Sequence, residues 1–270
     1  MKNIVEFLTM LYDKGLSYSG INTAKSAICA MLKLTTNEAV GENDMIKRFM
    51  KGVFNTRPTK PRYNYMWDVE TVLTFLETLV PIDRIDLKNL TLKLVTLTAL
   101  ITGQRCQSLH LMKIDHMQEM EDRFRFIIVD NVKSSAPGRK QPVLVLPKFE
   151  ENVNRCVVFT MKEYLRRTED LRTKHSNVFI SYQKPHEPVS SSTISRWIKC
   201  TLAMAGIDTS VFSAHSTRSA ATSAAGRHTL PIKDIMRAAS WRKESTFRKF
   251  YDKPLIEEDE FALSVLANKQ

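Results

Sequence analysis

The residues best suited to chemistry stand in a fixed order along the second half of the chain. Ser213-Ala214-His215-Ser216-Thr217-Arg218 sets a proton-transfer group and a permanent cation three residues apart, which on a helix is a single face. Trp241 follows, then Phe247-Arg248-Lys249-Phe250-Tyr251. Upstream, Thr102-Gly103-Gln104-Arg105 and Lys133 add two more cations. Such a set suits metal-free cleavage of a phosphodiester. That reaction needs a nucleophile, cations on the non-bridging oxygens, a base for the nucleophile's proton and an acid for the leaving oxygen. Arginine's planar fork grips one phosphate with two bonds and stays charged, so Arg105 and Arg218 are the candidate clamps. His215 is the candidate for handling the nucleophile's proton. Lys133 in a turn is the candidate acid at the leaving 5′ oxygen, with Lys140 as its competitor. Trp241 offers one indole N–H and cannot exchange protons. Tyr251 is the candidate nucleophile, leaving a covalent phosphotyrosine. Each residue alone has a plainer reading: a surface or capping cation, a solvated turn lysine, a helix-capping histidine, a core tryptophan, one of seven tyrosines. Their joint order carries the chemical reading.

The elements that must position these groups follow from periodicity. Residues 3–13, 21–34 and 43–53 read as helices, the third capped by Asn43 or Asp44. Asn55-Thr56-Arg57-Pro58-Thr59-Lys60-Pro61-Arg62-Tyr63 has two prolines and no apolar period, so 55–65 reads as a basic linker. Arg57, Lys60 and Arg62 are candidates for tracking phosphates there, as is Lys140 further on. Asp68 caps a helix that Pro81 stops, and residues 86–101, apolar on several faces, form a central helix ended by Gly103. A short helix carries Arg105, Leu109 and Met112. The period then changes to two at 123–129 and 142–146, two strands joined by the turn-rich Lys133-Ser134-Ser135-Ala136-Pro137-Gly138. Helices are expected again at 152–169, 190–205, 213–226, 231–239, 243–251 and 257–267. The fold class is therefore mainly α with a small antiparallel sheet.

Composition sets outer bounds. The 270 residues suffice for one large or two smaller domains. Lys and Arg outnumber Asp and Glu by 40 to 29, a net +11, which favours polyanions, of which a duplex is the commonest large one. Cys29, Cys106, Cys156 and Cys200 form no Cys-x-x-Cys unit, which excludes zinc ribbons and knuckles, and no metal ligand set is expected. Scattered thiols suit a reducing compartment. The sequence has no signal-peptide pattern and no apolar run of membrane-spanning length.

With these motifs in place, the chain resembles the tyrosine recombinases, or phage integrase family, and within it the eukaryotic transposon-encoded, Crypton-type branch. The Thr-Gly-x-Arg arginine matches Arg105, the hairpin lysine Lys133, the His-x-x-Arg pair His215 and Arg218, the His-or-Trp position Trp241 and the nucleophile Tyr251. The likeness covers residues 66–270 well and 1–55 more loosely. Three departures stand out. Trp241 and Tyr251 are one residue further apart than is usual. Ser108 replaces a common acidic residue. The N-terminal part is shorter than the usual helical core-binding domain.

The resemblance implies residues 1–54 as a partial helical, SAM-like DNA-binding domain, the linker 55–65, and a DNA breaking-rejoining catalytic domain over 66–270. It implies strand cleavage and rejoining through a 3′-phosphotyrosine with neither metal nor ATP, on double-stranded DNA, as a homotetramer. The C-terminal helix, with its stripe Leu255, Phe261, Ala262, Val265 and Leu266, would dock on a neighbouring protomer, and the nucleus would be the site of action. Two other readings share these residues: nicking and closing in the manner of type IB topoisomerases, and a domesticated DNA-binding module without catalysis.

Overall fold

The computed structural model describes residues 2–255 apart from 38, 61, 134, 173, 229, 242 and 243, with backbone alone at 246, 249 and 250. The expected helix 257–267 lies outside these residues. The chain forms two compact units, Met1–Arg62 and a second beginning at Tyr63.

The first unit holds α1 (Lys2–Asp13), α2 (Tyr18–Thr36) and α3 (Asp44–Thr56). Leu8, Ile21, Val40, Ile46, Met50 and Val53 form its small core. Gly15, at φ +83°, turns the chain out of α1. Ser17 then caps α2 by accepting from the Gly20 N–H, which starts that helix earlier than the apolar period suggests. Asn43 is the residue that caps α3, and α3 continues to Thr56, beyond its expected end.

The second unit is built around α5 (Leu87–Thr102), which is buried at every position from Leu90 to Leu100. Asp68 caps α4 (Val69–Glu77), and Asp86 caps α5. The central helix packs against α7 (Val157–Thr168), α8 (Ser191–Met204) and α9 (Ser216–Arg227). Its C-terminus breaks at Gly103, at φ +55°, and α6 (Cys106–His110) follows. A side chain at 103 would be strained by that φ, and its Cβ would stand 3.4 Å from Thr222 and 3.5 Å from Ala239.

A three-stranded antiparallel sheet runs in the order β1 (Met117–Glu119), β2 (Arg123–Ile127), β3 (Val143–Pro147). Phe124 pairs with Leu146 and Phe126 with Leu144. All four side chains are buried on the face toward the core, each worth about 1.5–3 kcal/mol by removal from water. The strand β1 was not expected, because Met117-Gln118-Glu119 carries no alternation; only its partner on β2 makes it a strand. Two helix starts also differ. Residues 153–155 form a 3-10 turn and α7 starts after Cys156. The helix expected from 213 starts at Ser216, leaving His215 at the boundary. The unit closes with α10 (Ile232–Ala238) and α11 (Glu244–Phe250). Among the described residues, no helix is long and apolar enough to cross a membrane.

Candidate active site

Arg218 is the centre of the site. It lies in the first turn of α9 and is only 1% exposed. Its Nη1 donates to the Gly103 carbonyl and its Nη2 to the Ala239 carbonyl, both at 2.5 Å. The guanidinium lies 4.0 Å from the Trp241 ring centroid and 5.7 Å from that of Tyr251. Burial, with the charge of Arg105 adding to it, pushes its pKa down to about 9, against the pull of Tyr251. The group therefore stays cationic at neutral pH. Its Nε has no hydrogen-bond partner among the described residues, and neither has the indole Nε1 of Trp241, a residue 9% exposed. An unsatisfied buried donor costs about 1–3 kcal/mol, and an incoming acceptor such as a phosphate oxygen would relieve that cost at both neighbouring side chains.

Tyr251 directly follows α11. Its hydroxyl shares a 3.2 Å hydrogen bond with His215 Nε2, and the rings meet edge to face. The Trp241 and Tyr251 ring centroids are 4.5 Å apart, and the Phe247 ring meets Trp241 in a tilted contact at 5.1 Å. The longer Trp241-to-Tyr251 interval thus still delivers both rings to Arg218. His215 sits at the N-cap position of α9 but makes no side-chain capping bond; its imidazole is exposed and turned to Tyr251.

The scaffold under these groups is polar and specific. Trp67 Nε1 donates to Ser216 Oγ at 2.8 Å, and the Ser213 backbone N–H donates to Tyr63 Oη at 3.1 Å, fixing both sides of His215. Ser223 Oγ donates to the Tyr251 carbonyl at 2.6 Å and accepts from the Lys253 N–H at 3.0 Å. The Met66 N–H donates to the Pro254 carbonyl at 2.8 Å. Gln104, 4% exposed, donates from Nε2 to the Ala238 carbonyl at 2.7 Å and to Ser240 Oγ at 3.1 Å. Its Oε1 accepts from Ser108 Oγ at 3.1 Å. Sequence reasoning missed Tyr63, Trp67, Gln104 and Ser223. Gln104 had one available signal, a polar residue between two site residues.

The remaining candidates are placed less centrally. Arg105 is half-buried at the N-cap of α6, and its charge is the second cause, after burial, of the lowered Arg218 pKa. Lys133 is exposed in the loop between β2 and β3, its backbone N–H held by Gln107 Oε1 at 3.1 Å. Lys140 is exposed on the same loop, as are Lys60 and Arg62 on the 57–62 segment. Arg57, the other expected phosphate-tracking residue, is engaged within its own unit. Its Nη1 donates to the Tyr12 and Leu16 carbonyls at 2.7 and 2.9 Å, and its guanidinium covers the Tyr12 ring. It ties off the end of α1, a use that no local pattern announces. Among the described residues, no group of three His, Cys, Asp or Glu could hold a metal.

Among solved structures, XerH site-specific recombinase bound to palindromic difH substrate, a post-cleavage complex, is 18% identical with a TM-score of 0.65, over 97% of this chain and 70% of that one. The Tn1549 transposon integrase (residues 82–397) in complex with circular intermediate DNA is 12% identical with a TM-score of 0.59, over 99% and 84%. XerA recombinase is 17% identical with a TM-score of 0.54, over 100% and 89%. No functionally curated protein matches. At these identities the structures speak for the fold alone. The profile of the phage integrase family matches residues 68–255, a stretch that holds every candidate catalytic residue. On that match the chain belongs to the phage integrase family.

Proposed function

We propose that this protein is a site-specific recombinase that cuts and rejoins duplex DNA through a 3′-phosphotyrosine. The convergence of Tyr251, His215, Arg218 and Trp241 on one point carries the reading. His215 takes the proton of the Tyr251 hydroxyl as its oxygen attacks the phosphorus. The P–O5′ bond breaks, and Lys133 on its loop protonates the leaving 5′ oxygen. Arg105, Arg218 and the Trp241 N–H hold the non-bridging oxygens, whose charge grows in the transition state. Rejoining is the reverse, with a 5′ hydroxyl attacking the phosphotyrosine, so the covalent bond conserves the energy and no cofactor is required.

Residues 1–54 serve in this reading as a partial core-binding domain and 55–65 as a basic linker, with Lys60 and Arg62 on phosphates and Lys140 on the same backbone from the catalytic domain. The protein works as a tetramer on two DNA sites, the C-terminal helix with its stripe Leu255, Phe261, Ala262, Val265 and Leu266 docking on a neighbour. Its origin is a Crypton-type mobile element and its site of action the nucleus. The DNA complexes of XerH and of the Tn1549 integrase support DNA as the partner.

Covalent trapping tests the reading. The protein is incubated without metal with a pool of nicked duplexes, denatured and mapped. An adduct on Tyr251, absent in Tyr251→Phe, is the expected result. Salt-sensitive DNA binding without any adduct would point instead to a binding module. Relaxation of supercoiled DNA without strand exchange would point to nicking and closing.

A further inference from the structure

We propose that Gln104 is a positioning residue that sets the geometry of the Arg218 clamp and of Trp241; the inference rests on the strand-cleavage reading above. The two carbonyls that hold the Arg218 guanidinium come from distant turns, Gly103 after α5 and Ala239 after α10. Gln104 adjoins the first carbonyl in sequence. Its Nε2 bonds Ala238 and Ser240, the residues on either side of the second. Arg218 and Gln104 are thus two parallel straps across the same pair of turns. Ser108 bonds Oε1 and so fixes which end of the amide faces the Ala238–Ser240 turn.

Arg218 can donate to the two carbonyls only where their separation matches its fork. Without a second strap the turns can drift, and the guanidinium follows them. Ser240 adopts φ +57°, a left-handed conformation that a non-glycine residue holds only when its surroundings impose it, and the bond from Gln104 is one such constraint. Trp241 comes next in the chain, so its indole, 4.0 Å from the guanidinium, inherits any shift of Ser240. Both unsatisfied donors of the site, Arg218 Nε and Trp241 Nε1, are therefore aimed through Gln104.

The test uses Gln104→Met, which keeps length and bulk and removes both polar ends, and Ser240→Ala, which deletes one bond without altering the core. The cleavage rate constant at saturating nicked duplex, the DNA Kd, the thermal midpoint and the side-chain N–H resonances of Arg218 and Trp241 are measured for each. Gln104→Met should cleave about 10–100-fold more slowly with a Kd changed less than about threefold, as expected for a displaced catalytic group. Both N–H resonances should shift, and Ser240→Ala should show the same effects in weaker form. A lowered midpoint with unchanged rate and unmoved resonances would overturn the proposal and leave Gln104 a packing residue. Resonances that shift in both variants, when wild-type protein itself forms no adduct, would sink the cleavage reading while upholding the clamp.

Discussion

The Nε2 atom of His215 lies 3.2 Å from the hydroxyl oxygen of Tyr251, across 36 residues of chain. The tyrosine's proton therefore has a neighbour already in reach of transfer. His215→Phe keeps the edge-to-face packing and removes the proton acceptor. It should slow adduct formation about 10²–10⁴-fold while DNA affinity holds. A single-turnover assay on a nicked duplex reads this directly, and a rate within threefold of wild type would exclude His215 from proton transfer.

Arg218→Lys tests the clamp. A single ammonium cannot span the Gly103 and Ala239 carbonyls and still present a further donor beside Trp241. Cleavage should fall at least about 10²-fold, and stability should drop by about 1–3 kcal/mol as one carbonyl loses its buried donor. Denaturant titration alongside cleavage kinetics separates the two effects. An active, equally stable lysine variant would contradict the fork geometry.

Trp241→Phe removes one N–H and keeps an aromatic ring beside Arg218 and Phe247. We expect cleavage to slow by about 10–10³-fold, the range for losing one transition-state donor, with a small change in stability. If the unpartnered indole N–H contributes nothing to the reaction, the phenylalanine enzyme will match wild type once both are saturated with DNA.

Lys93 is a charge within the core of the second unit. It is 0% exposed, and its Nζ donates only to the Leu79 carbonyl among the described residues. Burial pushes its pKa from 10.5 down to about 8. Below that pH both folded and unfolded chains are protonated and the full cost of burying the charge is present. Between about 8 and 10.5 the unfolded chain holds more protons, so stability rises with pH through that window. Lys93→Met should gain roughly 1–3 kcal/mol at pH 7 and lose that rise. Urea unfolding at pH 7 and pH 10 decides it; an unchanged slope would mean that the ammonium is not the source.

Much of the site was legible because its chemistry is written in residue types that few other tasks require together. Arg105, His215, Arg218, Trp241 and Tyr251 could be picked by order, and the local caps, Asn43 or Asp44 and Asp68, by their place before apolar runs. What escaped depends on distant partners. Gln104 is an unremarkable polar residue until Ala238 and Ser240 arrive beside it. Arg57 read as a free cation in a proline-rich stretch until the end of α1 claimed it. The strand β1 exists only through pairing with β2. The start of α9 moved because Trp67 and Tyr63, near the beginning of the unit, hold Ser216 and Ser213.

The anchoring of residues 251–254 has a further consequence. Ser223 grips the Tyr251 carbonyl and the Lys253 amide, and Met66 pairs with Pro254, all within one chain. Were these contacts kept in an assembly, a segment lent to a neighbouring molecule would pivot after Pro254 and the tyrosine would stay with its own chain. Each molecule would then wound only the strand lying in its own cleft. Mixing Arg218→Ala with Tyr251→Phe protein should consequently fail to restore cleavage, whereas a shared tyrosine would rescue it.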